Sequence, residues 1–182
     1  MPIGHHRIEN FHQQIHCFGF SWLFFAAVVQ SNSQSRLWAW YPGWETADPN
    51  SRDVELYETI LSGDLDNNDN FDILTDNCYH VVTGSGTTDL TEIDGFTITG
   101  GNSTGYRRGG GMLNEIADLR ISDCTFLSNT AYGGGGIYNE DSSLTIIHCR
   151  FENNHATEVP GGGGIYNQDS DVSIVDCAFI EN

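Results

Sequence analysis

A 22-residue string that recurs along the chain constrains its fold more than any other feature. Gly133 to Asn154, GGGGIYNEDSSLTIIHCRFENN, returns as Gly161 to Asn182, GGGGIYNQDSDVSIVDCAFIEN, with 13 of 22 positions identical and no gap in the alignment. A more worn copy, Arg108 to Asn129, RGGGMLNEIADLRISDCTFLSN, keeps the glycines, the Asn, the Cys, the Phe and the closing Asn in register. Repeats of 20 to 50 residues mark stacked architectures, in which each unit buries its apolar face only against its neighbours.

Within a copy the apolar residues alternate, slip phase once and alternate again. Leu144 and Ile146 share one parity, and Cys149 and Phe151 share the other. Alternation marks a strand with one face inward, and the slip marks a bend between two strands. Leu119, Ile121, Cys124 and Phe126 repeat the arrangement, as do Val172, Ile174, Cys177 and Phe179. A third short strand is expected over Ile137 to Asn139, entered through the glycine cluster, whose freedom at positive φ and lack of a side chain suit a tight turn between closely stacked coils. No helical pattern follows those glycines, so they are architectural rather than phosphate-binding. Three short strands per coil, repeated, describe an all-β parallel β-helix, with coils about 4.8 Å apart. Right-handed winding is the default for parallel crossovers. His80 to Asn102 reads as a degenerate first coil, with Ile93, Phe96 and Ile98 in the places later held by Ile121, Cys124 and Phe126. About four coils are therefore recognisable.

Stacking turns equivalent positions into columns. Cys124, Cys149 and Cys177 form an inward column of small buried hydrophobes, because parallel Cα to Cβ vectors keep the Cβ atoms too far apart for a disulfide. Asn129, Asn154 and Asn182 form a second column, and Asn114, Asn139 and Asn167 a third; their amides are placed to satisfy polar groups at buried bends. Asp123, His148 and Asp176 form a fourth, outside the core, where His relieves repulsion between stacked carboxylates or, as the sharper alternative, the trio holds a cation. Asp141 over Asp169 has the carboxylate spacing of a retaining glycosidase, a spacing that any stacked acidic corner also produces. No catalytic, cofactor-binding or metal-ligating residue is assigned.

The corner between the closing Asn and the next glycines varies in length: Thr130 to Tyr132, His155 to Pro160 and Ser103 to Arg108. Variable loops on one side of a solenoid often mark its binding side. The division expected is a leader over 1–40, signal-like and partly disordered, an N-terminal cap with an acidic turn over 41–79, and β-helix repeats over 80–182. The leader holds a 13-residue apolar run, Cys17 to Val29. That is too short to span a bilayer as a helix but matches the core of a secretory signal, the alternatives being a non-native leader or a buried segment. The aromatics of Trp38 to Asn50 could stack on sugar rings, although covering an exposed core end is the commoner role. Ser62 to Asp76 places oxygens at Asp64, Asp66, Asn68, Asn70 and Asp72, but Asp69 and Thr75 stand where an EF-hand needs Gly and Glu. It reads as a solvated Asx-rich turn, with a looser calcium site as its alternative and no other cofactor in view. The chain stops at Asn182, where the next glycine cluster and eventually a cap would follow, so the sequence reads as the front of a longer protein.

Composition narrows the partners. The chain has 25 acidic and 7 basic residues, all Arg, for a net charge of -18. Nucleic acid and anionic membranes both demand a basic patch and are not expected partners, and the absence of Lys excludes lysine-based catalysis. Five Cys without CxxC spacing make neither a disulfide scaffold nor a zinc site.

The clusters Gly134-Gly135-Gly136-Ile137 and Gly162-Gly163-Gly164-Ile165, with Phe126-x-x-Asn129, Phe151-x-x-Asn154 and Phe179-x-x-Asn182, resemble the GGA(I/L) and FxxN repeats of polymorphic outer-membrane proteins of the chlamydial type. The lead-in from Tyr41 through Asn102 is similar to the segment before such repeats in large bacterial surface proteins with a pectin-lyase-like fold. The resemblance implies a secreted or outer-membrane surface protein, often adhesive, that meets an extracellular surface or polysaccharide. The chain departs from the pattern in carrying Gly where the motif has Ala, and it contains no membrane-anchoring barrel or sorting domain. A non-enzymatic surface module is the reading the columns favour; a polysaccharide lyase or glycoside hydrolase is the alternative that the fold also hosts.

Overall fold

The computed structural model describes residues 15–16, 36–38, 58–65, 69, 74–87, 91–159 and 161–182. Strands β1 (Ile15–His16), β2 (Arg36–Trp38) and β3 (Thr59–Ser62) precede a regular winding. The first coil holds β4 (Val82–Ser85), β5 (Thr91–Asp94), β6 (Phe96–Thr99) and β7 (Asn102–Arg108), and the second β8 (Met112–Glu115), β9 (Asp118–Ser122), β10 (Thr125–Leu127) and β11 (Thr130–Gly133). The third holds β12 (Ile137–Glu140), β13 (Ser143–Ile147), β14 (Arg150–Glu152) and β15 (His155–Ala156), and the fourth β16 (Ile165–Gln168), β17 (Asp171–Val175) and β18 (Ala178–Ile180). Each strand pairs in parallel with its equivalents in the coils before and after, giving sheets ordered β1-β3-β6-β10-β14-β18, β2-β5-β9-β13-β17, β4-β8-β12-β16 and β7-β11-β15. The chain is an all-β parallel β-helix, three four-stranded coils followed by a three-stranded one.

Register matches the repeat residue for residue. Phe126 pairs with Phe151 and Phe151 with Phe179, Ile121 with Ile146 and Ile146 with Ile174, and Ile93 with Ile121. The phenylalanine rings stack with centroids 4.9 and 4.8 Å apart and planes 3° and 5° from parallel, close to the spacing of adjacent strands. Ile, Leu and Met columns fill the space between, with Met112, Ile121, Ile137 and Ile146 fully buried. Strands β1 and β2, which fall within the segment read as leader, add to two of the sheets through β3 and β5. The apolar run Cys17 to Val29 and the aromatics after Trp38 lie outside the described residues.

The coil has four strands where alternation announced three. The additional sheet occupies the corner of variable length, and its inward residues are Ser103 and Ala131, both fully buried, paired with each other. Small inward residues leave no apolar alternation in the sequence, which is why this strand escapes a pattern search.

Corners are made by single residues in the left-handed region. Asp123, His148 and Asp176 have φ of 50°, 53° and 51°, and Ser128, Asn153 and Glu181 have 54°, 54° and 52°. Ile116, Asp141 and Asp169 make a third such column at 53°, 49° and 48°. In the first coil the register puts Gly86, Gly95 and Gly100 at these same corners, also at positive φ. Asp, Asn and His tolerate this conformation better than other side chains, whereas a β-branched residue such as Ile116 is an outlier there. Gly134 opens the remaining turn at φ 66°. Two residues on, a Cβ at Gly136 would lie 2.4 Å from the Gly164 carbonyl oxygen, so the stacked turns leave no room for a side chain there.

Candidate functional site

The interior columns are consumed by stacking. In the FxxN column, the Asn154 side-chain oxygen accepts from the Asn129 backbone N–H (3.2 Å) and from Asn129 Nδ2 (3.0 Å). Asn154 Nδ2 donates to the Phe126 carbonyl and to Asn182 Oδ1, each at 2.9 Å. In the other column Asn114 donates to Asn139 and Asn139 to Asn167, both at 2.7 Å, side chain to side chain. The cysteines of the repeat are free. Their Sγ atoms meet carbonyl oxygens, Cys149 donating to Ile147 at 3.3 Å and Cys177 to Val175 at 3.3 Å. A hydrogen bond shared with Cys124, and then burial, push the Cys149 thiol up.

The Asp123–His148–Asp176 column stands at an exposed corner as expected. Nδ1 of His148 lies 3.7 Å from Asp123 Oδ1, and Nε2 lies 3.6 Å from Asp176 Oδ2. With these side chains largely in water, the contacts amount to weak ion pairing when His148 is protonated. Asp141 and Asp169 occupy the corner column next along the coil, both exposed, and the Asp141 N–H donates to the Gln168 carbonyl (3.2 Å). In the acidic turn the Asp69 N–H donates to Asp64 Oδ2 (3.2 Å), and Asn77 Nδ2 donates to Asp69 Oδ2 (3.1 Å) and the Gly100 carbonyl (2.8 Å). Burial, with Asp64 and Asp76 nearby, raises the Asp69 carboxyl, while the Asn77 hydrogen bond opposes it. Asp66, Asn68, Asn70 and Asp72 lie outside the described residues. Among the described residues no group of three or more His, Cys, Asp or Glu is arranged to hold a metal.

What does not repeat is the segment of β7. Ala131 pairs with Ser103 and Gly133 with Arg108, so Thr104 to Arg107 face Tyr132 alone and bulge outward. Gly105 and Tyr106 are left-handed in succession, at 71° and 72°. Tyr106 is 85% exposed, and its ring lies 5.4 Å from that of Tyr132. Arg107 lays its guanidinium over Tyr79, 3.7 Å from the ring centroid. Arg108 turns the other way and donates to the Tyr138 hydroxyl (2.6 Å) and Gln168 (3.2 Å). Tyr138 in turn stacks on Tyr166, centroids 5.6 Å apart. Beneath the bulge, His80 Nδ1 donates to the Gly109 carbonyl (2.7 Å), and burial lowers its pKa, opposed by that bond and helped by Arg107. Sequence reasoning flagged this corner by its length but missed its tyrosines, Tyr79, Tyr106 and Tyr132, which lie far apart in the sequence and converge only through the winding. Elsewhere, an open depression of about 650 Å³ covers the outer residues of β9, β13 and β17, and its Arg120 is already paired with Glu92 at 3.2 Å.

A parallel β-helix whose interior is built of amide, thiol and phenyl ladders defines a solenoid repeat protein. Residues 123–140 and 148–168 match the family model of the Chlamydia polymorphic membrane protein repeat. Each match starts at a left-handed corner residue, Asp123 or His148, passes through the Phe and Asn ladders and ends on the strand after the glycine turn. No curated protein and no solved structure matches the chain. The family match points to a surface or outer-membrane protein module. No helix among the described residues is long and apolar enough to cross a membrane, which leaves β-barrels unaddressed.

Proposed function

We propose that this chain is a non-enzymatic module of a bacterial surface protein, exported and displayed to bind an extracellular surface. The repeat match carries the reading, and the way the repeat is spent supports it. Its Phe, Cys and Asn residues meet one another inside the coil, and its Asp and His residues turn corners at positive φ. A scaffold of this kind presents its unequal loops, and binding is the task such a presentation serves.

Beads coated with the full chain should adhere to cultured epithelial cells above albumin-coated beads. Equal adhesion would overturn the binding role. The lyase or hydrolase alternative is met by incubating the chain with acidic polysaccharides and calcium and following unsaturated products and reducing ends. Turnover abolished by Asp141→Asn or Asp169→Asn would replace the binding role with catalysis at that corner.

A further inference from the structure

We infer that the bulge at Tyr106 and Arg107 is a binding site for a glycan that ends in a single carboxylate-bearing sugar. The inference rests on the surface-binding reading above and specifies its ligand.

Charge gives the first argument. Among the arginines whose side chains are described, Arg120 is held by Glu92, Arg150 by Glu152 and Arg108 by Tyr138 and Gln168. Among the described residues Arg107 alone meets no carboxylate or hydrogen-bond acceptor; its contact is the Tyr79 ring. In a chain of net charge -18 acidic partners are plentiful, so an exposed guanidinium without one is an unspent recognition group. Stacking on a ring face fixes the guanidinium plane and leaves its N–H edges pointing past the ring, the geometry that grips a carboxylate with two parallel hydrogen bonds.

The aromatic surface gives the second. Tyr106 is 85% exposed and forms a tilted platform with Tyr132, the planes 39° apart. A flat ring with a polar tip accepts the C–H face of a sugar while its hydroxyl reaches the sugar's own. Left-handed backbone at an aromatic residue is a strained arrangement, of the kind that clusters where a side chain must be aimed. Tyr106 and Arg107 are consecutive, so the stacking platform and the free cation are carried on one bulge.

Net charge then selects the size of the anion. The acidic surface repels a polyanion over the screening length, whereas a terminal sugar with one carboxylate meets one guanidinium and little else.

The test titrates the full chain with 3′-sialyllactose and with lactose, by calorimetry and by saturation-transfer NMR. Sialyllactose should bind, and lactose, which lacks the acidic sugar, at least about tenfold more weakly, a factor matching the loss of a charge-assisted pair. Arg107→Gln and Tyr106→Ala should each weaken sialyllactose about tenfold or more, while Tyr106→Phe, which keeps the ring and loses only the hydroxyl, weakens it less than Tyr106→Ala, and Arg120→Gln binds as the wild type. Circular dichroism checks the fold of each variant, and Arg107→Gln, at an exposed side chain, decides the matter if Tyr106→Ala unfolds. Absence of sialyllactose binding, or binding unchanged in Arg107→Gln, overturns the site; so does heparin bound more tightly than sialyllactose through Arg107. Adhesion of wild-type beads without sialyllactose binding sinks the site and leaves the surface reading, and sialyllactose binding without bead adhesion does the reverse.

Discussion

Two asparagine ladders look alike in the sequence and should behave differently when cut. Asn154→Ala removes the acceptor of the Asn129 backbone N–H and of one Asn129 side-chain N–H, at a residue fully buried. A buried donor without a partner costs about 1–3 kcal/mol, so two donors should cost about 3 kcal/mol even with partial relaxation. Asn139→Ala strands only the Asn114 amide, because its other partner, Asn167, is exposed and turns to water. Its cost should stay near 1–2 kcal/mol. Double variants sharpen the contrast. Asn114→Ala with Asn139→Ala removes both ends of a side-chain bond and should be far from additive, close to the single Asn139 variant. Asn129→Ala with Asn154→Ala leaves the Asn129 backbone N–H in place and also strands the Gly101 N–H, which donates to Asn129 Oδ1 at 3.0 Å. That pair should lose more than either single change. Urea unfolding followed by circular dichroism, at constant m-value, reads the wild type, the four single variants and the two double variants. If Asn139→Ala proves as costly as Asn154→Ala, or the Asn114/Asn139 pair adds fully, the backbone-satisfying role assigned to the FxxN column is wrong.

Other outcomes follow from the same geometry. Ile116 is 71% exposed at φ 53°, so Ile116→Asn should stabilise by about 1 kcal/mol in urea unfolding through relief of the left-handed strain; a loss of stability would show that Ile116 packs. Gly136→Ala installs the residue usual in the motif, yet its Cβ would fall 2.4 Å from the Gly164 carbonyl oxygen, whereas at Gly164 the nearest atom is a Phe179 ring carbon at 2.9 Å. The first should cost about 2 kcal/mol and the second clearly less by thermal unfolding. With the Cys149 thiol pushed up by its bond to Cys124 and by burial, thiol labelling at pH 8 should modify the half-buried Cys177 before Cys149, which is reached only on unfolding. His80 has a pKa lowered in the fold, mainly by burial. It therefore contributes stability above the ordinary pKa of about 6.5 that is lost as pH falls below it, when the unfolded chain takes up the proton first. The stability difference between wild type and His80→Gln should shrink from pH 7 to pH 5; a constant difference would place His80 outside the titration.

The repeat exposed the coil because its signals are local. Parity of Leu144, Ile146, Cys149 and Phe151 states which side faces in, and the phase slip falls at His148, the residue that turns the corner. Register followed at once, since a one-residue slip would turn the Phe column outward. The fourth strand was illegible because Ser103 and Ala131 carry its inward face without apolar contrast. The glycines of the first coil hid a correspondence of another kind. Gly86, Gly95 and Gly100 share no side chain with Ile116, Asp123 and Ser128, yet share their left-handed φ, and conformation of that kind is not spelled in residue type.

The same contrast decides where function can reside in such a solenoid. A residue at a ladder position answers to two neighbours, so changing Phe151 disturbs Phe126 and Phe179 together and changing Asn154 disturbs Asn129 and Asn182. Selection for a ligand has little freedom there. The bulge between Ser103 and Arg108 answers to no ladder: its four residues face a single tyrosine of the next coil, and lengthening such a loop costs little chain entropy. Its anchors are nonetheless firm, since Tyr79 lies before it in the winding and Tyr132 after it. A segment free to vary in sequence but fixed in place by rings from the neighbouring coils combines the two properties that a recognition site on a repeat scaffold requires.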